Sequence, residues 1–146
     1  MGGIGDMAEA MFNEGFNCAQ SVLACCGSRW GLPRETGLRV AQAFGGGMCH
    51  LGQTCGAVTG ALMVIGLKYA KIGPDNAPRQ KATEIAQELA RQFTARNGSV
   101  NCSALLGCDL GTPDGVRRFK ADGLREKVCA KVVRDAAEIV DRLMEC

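Results

Sequence analysis

Cysteine is the residue type whose number and spacing in this chain indicate chemistry. The nine cysteines are Cys18, Cys25, Cys26, Cys49, Cys55, Cys102, Cys108, Cys129 and Cys146. No secretory signal opens the sequence, so we expect a cytoplasmic protein. An odd number of thiols in a reducing compartment argues against a fixed disulfide framework. It indicates metal binding or thiol redox chemistry instead.

Two of these cysteines lie in the most apolar part of the chain, residues 44–67, which carries no Asp, Glu, Lys or Arg. A glycine-rich loop contains Cys49, and an apolar run with small residues starts at Cys55. We expect this run to form a central helix over about residues 55–70, buried on every side. Cys55 would then start the helix, where unpaired amide N–H groups and the helix dipole favour a thiolate.

The glycines beside these cysteines have two interpretations. Gly47 and Gly56 allow backbone to approach a sulfur atom or a sulfur-bound ion, which makes them candidate cofactor-binding residues. Alternatively, the loop glycines form only a flexible turn, and Gly56 with Gly60 allows two helices to cross closely.

Three further cysteines occupy similar positions. Asn17 precedes Cys18 and Asn101 precedes Cys102, and asparagine is a favoured N-cap. Cys129 falls in the first two turns of the last predicted helix. The four thiols expected near helix starts are therefore Cys18, Cys55, Cys102 and Cys129. If these starts converge in space, their dipoles jointly favour negative sulfur.

The spacing of apolar residues is helical along the whole chain, and no strand alternation or hairpin dipeptide competes with it. We therefore predict an all-α fold with a single domain over residues 1–146. About six helices would form a bundle around the buried central helix.

Composition narrows the function classes. Apolar residues make up 47% of the chain, charged residues 22%, and the net charge is +2. Basic residues are dispersed among acids, so nucleic acid is a poor candidate partner. The central apolar run is shorter than the ~20 residues that cross a bilayer, so we expect no membrane insertion. Its glycine-lined surface suits a homodimer contact as well as a core.

The cysteine layout resembles a known family. The motif residues are Cys18, then Cys55-Gly56-Ala57-Val58-Thr59-Gly60, then Cys102 and Cys129. They resemble the C_GCAxxG_C_C family of small redox-active proteins, and the resemblance covers nearly the whole chain. It departs from the family name at Thr54-Cys55-Gly56-Ala57, where the name has Gly-Cys-Ala. The resemblance implies a redox role and marks those four cysteines as the motif positions.

Related domains are joined to haem-bearing segments in split-Soret-type cytochromes, alongside an iron–sulfur centre. This sequence has no Cys-x-x-Cys-His, so covalent haem is not expected. Because four soft thiolates suit an iron–sulfur cluster, we expect that cofactor, serving electron transfer or redox sensing with a redox partner protein. Cys55 and Cys102 are the firmest candidate ligands. The partners that would complete the set are either Cys18 with Cys129 or Cys49 with Cys108.

Two alternatives remain at this stage. Zinc, or another metal, would use the same thiols, although the close Cys-x2–4-Cys pairs typical of zinc sites are absent. A metal-free thiol/disulfide oxidoreductase would use Cys55 with Cys49 or with another motif cysteine. His50, the one histidine, could ligate a metal or act as a base toward a neighbouring thiol, but a single loop histidine is more often solvated.

Overall fold

The computed structural model describes residues 2–71 and 73–145. Within these residues there are eight α-helices: α1 (Ile4–Asn13), α2 (Cys18–Gly27), α3 (Arg34–Val40), α4 (Gly56–Tyr69), α5 (Asn76–Asn97), α6 (Cys102–Leu106), α7 (Pro113–Ala121) and α8 (Ala130–Leu143). Shorter turns are the 3-10 segments Ser28–Trp30 and Gln42–Phe44 and the π-helical segment Arg125–Cys129. Within the described ranges no β-strand forms, and the predicted all-α fold is confirmed. Cys146, the ninth cysteine of the sequence, lies outside the described residues.

The described residues form eight helices where about six were predicted, and α6 and α7 are two short ones between the longer helices α5 and α8. Asn101 caps α6 by accepting a hydrogen bond from the Ala104 amide at 2.9 Å, and Thr112 caps α7 by accepting one from the Gly115 amide at 3.0 Å. The five residues of α6 span little more than one turn, too short to show a helical period in the sequence.

The central helix α4 packs against α2, α5 and α8. Its crossing with α2 is close: a Cβ added to Gly60 would lie 2.9 Å from the Ala19 carbonyl oxygen. The prediction that α4 is buried on every side is wrong on one face. Leu62 and Leu67 remain 37% and 38% exposed, because the three neighbouring helices cover only three sides.

Helix α8 closes the bundle on the other side. Its apolar stripe is fully buried against α1, α4 and α5 and comprises Val133, Ala136, Ile139 and Val140. Residues 124–143 form one helical rod, because the π-helical turn continues directly into α8. No helix among residues 2–71 and 73–145 has the length and apolar character needed to span a bilayer.

Candidate functional site

A backbone pairing between two loops positions Cys55 and Cys102. The Cys55 amide donates to the Val100 carbonyl at 2.8 Å, and the Cys102 amide donates to the Gln53 carbonyl at 2.6 Å. These bonds flank the isolated antiparallel bridge at residues 54 and 101. Two cysteines far apart in sequence therefore start α4 and α6 side by side.

The close crossing of α2 and α4 places Cys18 beside Cys55. A Cβ added to Gly56 would lie 3.2 Å from the Cys18 Cβ, so the two helices pack too closely here for any side chain at residue 56. Asn17 fixes the start of α2 through two bonds. Its side-chain oxygen accepts from the Gln20 amide at 2.8 Å, and its side-chain nitrogen donates to the Gln42 carbonyl at 2.9 Å.

Cys129 enters the group from the chain segment before α8. It is the last residue of the π-helical turn, and its side chain hydrogen-bonds with Cys18. π-Turns widen a helix locally and are common at functional sites. The structure thus places both Cys55 and Cys129 beside Cys18. Cys102 is close enough to interact electrostatically with Cys55 and Cys129.

The loop before α4 has an unusual backbone. Residues 46–50 all have positive φ, with +65°, +44° and +62° at Met48, Cys49 and His50. Such a left-handed conformation costs an L-residue about 1–2 kcal/mol. It is held by amides of the loop that donate to carbonyls at residues 43–47. Gly47 contacts the site directly, since a Cβ there would lie 2.6 Å from the Cys102 Cβ.

These elements enclose a cavity of ≈ 660 Å³. Five cysteines line it, together with a mainly apolar wall: Cys18, Cys49, Cys55, Cys102, Cys129, Phe12, Leu105, Leu106, Leu110, Val116, Phe119, Val128 and Val132. Gly47, Gly56 and His50 also line it, whereas Cys108 does not. The basic lining residues are Lys120 and Arg125, and among the described residues no Asp or Glu lines the cavity.

The pKa values of the grouped thiols diverge. Hydrogen bonds with Cys129 and with Cys55, together with burial, raise the pKa of Cys18 well above its usual value. The bond with Cys18 lowers the pKa of Cys55, helped by the amides of Ala57 and Val58 in the first turn of α4. Burial raises the pKa of Cys102 to about 12. Of Cys18, Cys55 and Cys102, Cys55 is therefore the thiol that most readily becomes a thiolate.

The thiols outside this group are placed differently. Cys49 is exposed at the cavity edge and Cys108 is half-buried. Cys25 and Cys26 hydrogen-bond with each other in α2, away from the cavity. All eight described cysteines are free thiols. Across residues 2–71 and 73–145, no group of three or more His, Cys, Asp or Glu side chains is arranged to hold one metal ion.

Sequence reasoning did not identify Lys120 or Arg125 as part of the site. Arg125 donates to the Phe12 carbonyl at 2.5 Å and stacks 3.8 Å above the Phe12 ring centroid. The helical spacing of Val116 and Phe119 in α7 predicts that these two residues face inward. No local signal indicated that they would face a cavity instead of the core.

The family comparison agrees with the arrangement of the thiols. A family model described as "Putative redox-active protein (C_GCAxxG_C_C)" matches residues 16–143. That range includes all four motif cysteines that meet at the cavity. No curated protein and no solved structure matches the chain. Because the match covers most of the sequence, this chain belongs to the C_GCAxxG_C_C family of redox-active proteins.

Proposed function

We propose that the cavity thiols bind an iron–sulfur cluster and that the protein serves in electron transfer or redox sensing. One observation carries the proposal. Four cysteines from four separate chain segments, Cys18, Cys55, Cys102 and Cys129, line one cavity in a member of a redox-active family.

The residues present fit such a group chemically. Thiolates are the ligands that iron–sulfur clusters use, and amide hydrogen bonds to sulfur adjust the reduction potential. The amides of Ala57 and Val58, in the first turn of α4, help to lower the pKa of Cys55 and so favour its thiolate. A cavity of ≈ 660 Å³ far exceeds the ~30 Å³ of a single water molecule. It has room for a group of several atoms without moving a helix.

The positions of the thiols also favour one of the two ligand sets left open by the sequence. Cys18 contacts Cys55 and Cys129, whereas Cys108 does not line the cavity and Cys49 is exposed. We therefore assign Cys18, Cys55, Cys102 and Cys129 as ligands, with Gly47 and Gly56 keeping the backbone close. When bound, a cluster gains and loses single electrons. The protein segments around it hold the sulfurs and limit water, and a redox partner protein would supply or accept the electrons.

The test is visible absorption with iron and sulfide analysis on protein purified without oxygen. Single Cys→Ser variants at the four assigned positions should lose iron, sulfide and colour. Cys25→Ser is the matched control, because Cys25 is a half-buried thiol that does not line the cavity, and it should keep all three. A colourless wild-type protein would refute the cluster, and stoichiometric zinc would indicate a structural metal instead.

A second candidate function, metal-free thiol/disulfide exchange, is favoured by the Cys18–Cys55 hydrogen bond. The Cys55 thiolate would attack one sulfur of a partner disulfide and release the first partner thiolate. Cys18 would lose its proton, attack the mixed disulfide at Cys55 and release the second thiolate. The Cys18–Cys55 pair is then oxidised to a disulfide, and the partner is reduced to two thiols.

This alternative has its own readout. Metal-free protein oxidised with a low-molecular-weight disulfide should yield a joined peptide pair containing Cys18 and Cys55, found by mass spectrometry after digestion. Cys18→Ser should trap the mixed disulfide at Cys55. Oxidation that joins other cysteines, or none, would remove this function.

A further inference from the structure

We propose that the side of the cavity formed by α7 binds a small organic anion with an apolar body. This inference does not depend on what the thiols hold, because the residues that carry it are separate from the cysteines.

Helix α7 is fixed in place at its start. The Thr112 amide and hydroxyl donate to the Asp109 carbonyl at 3.1 and 2.9 Å. Gly115 packs directly on the Asp109 backbone, where no side chain would fit. Helix α7 is therefore held in a fixed position as one wall of the cavity.

Within the described part of the chain, no protein group fully covers the apolar face of α7. Gly115 is the buried residue of α7, while Val116 and Phe119 are half-buried and line the cavity. Leu110 is also half-buried there and continues the same surface. Apolar cavities of several hundred Å³ with a few polar groups are typical of small-molecule sites.

Among the Asp, Glu, Lys and Arg side chains of the described residues, only basic ones line the cavity. The chain has 15 acidic and 17 basic residues, yet within the described residues only Lys120 and Arg125 bring full charges to the lining. Arg125 already donates to the Phe12 and Phe16 carbonyl oxygens. Lys120 is exposed, and no carboxylate in the described part of the chain pairs with it. A ligand with an anionic group would supply that partner.

Two matched fluorescent probes test the proposal on the full-length protein as purified. 1-Anilinonaphthalene-8-sulfonate has an apolar body with a sulfonate, and N-phenyl-1-naphthylamine has the same body without the charge. We expect saturable binding of both. Lys120→Gln should weaken the sulfonate by about fivefold, the effect of one exposed ion pair, and leave the neutral probe unchanged. Lys81→Gln, an exposed substitution on α5, should change neither.

A cavity-filling variant, Val116→Trp, should reduce the affinity for both probes. Equal effects of Lys120→Gln and Lys81→Gln would overturn the anion site, and so would full binding by a folded Val116→Trp protein. Iron and sulfide measured on the same samples separate this result from the cluster proposal. Neither substituted residue is a thiol, so weakened probe binding with retained iron and sulfide supports the anion site independently of the cluster. Wild-type protein that holds iron and sulfide but binds neither probe would refute only the anion site.

Discussion

The Cys18 thiol and the Cys55 sulfur form a hydrogen bond across the crossing of α2 and α4. Gly56 makes this contact geometrically feasible, because a side chain there would collide with the Ala19 amide. Cys18 donates this bond and keeps its proton, whereas Cys55 accepts the bond and loses its own proton more easily. It therefore links helix packing to the acid–base behaviour of the site.

In the metal-free protein, removing the Cys18 donor should raise the pKa of Cys55. Cys18→Ala deletes the main cause of the lowered value, whereas Cys18→Ser keeps a hydroxyl donor in nearly the same place. A ¹³Cβ NMR titration of Cys55 measures both. We expect the midpoint to move upward in the alanine variant and much less in the serine variant. Equal midpoints in wild type and Cys18→Ala would show that the bond does not control Cys55.

The metal-free protein should lose stability in alkaline solution. A folded-state pKa of about 12 for Cys102 lies above the ordinary thiol value near 8.5. The unfolded chain releases this proton first, so the free energy of unfolding falls as pH rises above about 8.5. Cys102→Ser should flatten part of this fall in urea titrations under reducing conditions between pH 7 and pH 10. Cys49→Ser, at an exposed thiol, should keep the wild-type slope.

Two glycines of α4 should respond in opposite ways to alanine. Gly60→Ala places a Cβ 2.9 Å from the Ala19 carbonyl, and overpacking of this kind costs about 1–3 kcal/mol of unfolding free energy. Gly66→Ala meets no atom within 4 Å and should gain up to about 1 kcal/mol from helix propensity. Thermal and urea unfolding measure both. Equal effects would contradict the close crossing of α2 and α4.

The carboxylate of Asp135 should be important for stability. It is 7% exposed and pairs with Arg96 at 3.2 Å and Lys131 at 2.7 Å, which joins α5 to α8. Asp135→Ala should cost about 1–3 kcal/mol, since the partners lose charge-assisted bonds. Asp114→Ala removes an exposed pair with Arg117 and should change unfolding free energy by less than about 0.5 kcal/mol. Urea unfolding compares the two, and a similar cost for both would contradict the role assigned to Asp135.

The parts of the structure that depend on neighbouring residues were predictable from the sequence. Asn17 and Asn101 cap α2 and α6 as expected, because capping is settled by one side chain and the amides of the next turn. The start of α4 at Cys55 follows from the change from glycine-rich loop to apolar run. The all-α class follows from the uniform helical period.

The parts that depend on distant residues were not predictable. The pairing of residues 53 and 55 with residues 102 and 100 joins two loops with no shared pattern. The choice of Cys18 and Cys129 as neighbours of Cys55 depends on how α2, α4 and α8 pack. The basic residues Lys120 and Arg125 reach the cavity only because α7 lies over it.

Residues 46–50 of the loop have the left-handed backbone conformation that D-amino acids prefer. The stretch begins with two glycines, at positions 46 and 47, which adopt this conformation without strain. A chemically synthesised chain with D-residues at positions 48–50 would adopt this loop without the L-residue penalty of about 1–2 kcal/mol each. In the natural chain that penalty is offset by surrounding contacts. Loosening them would release the exposed thiol of Cys49 from its fixed place beside the cavity.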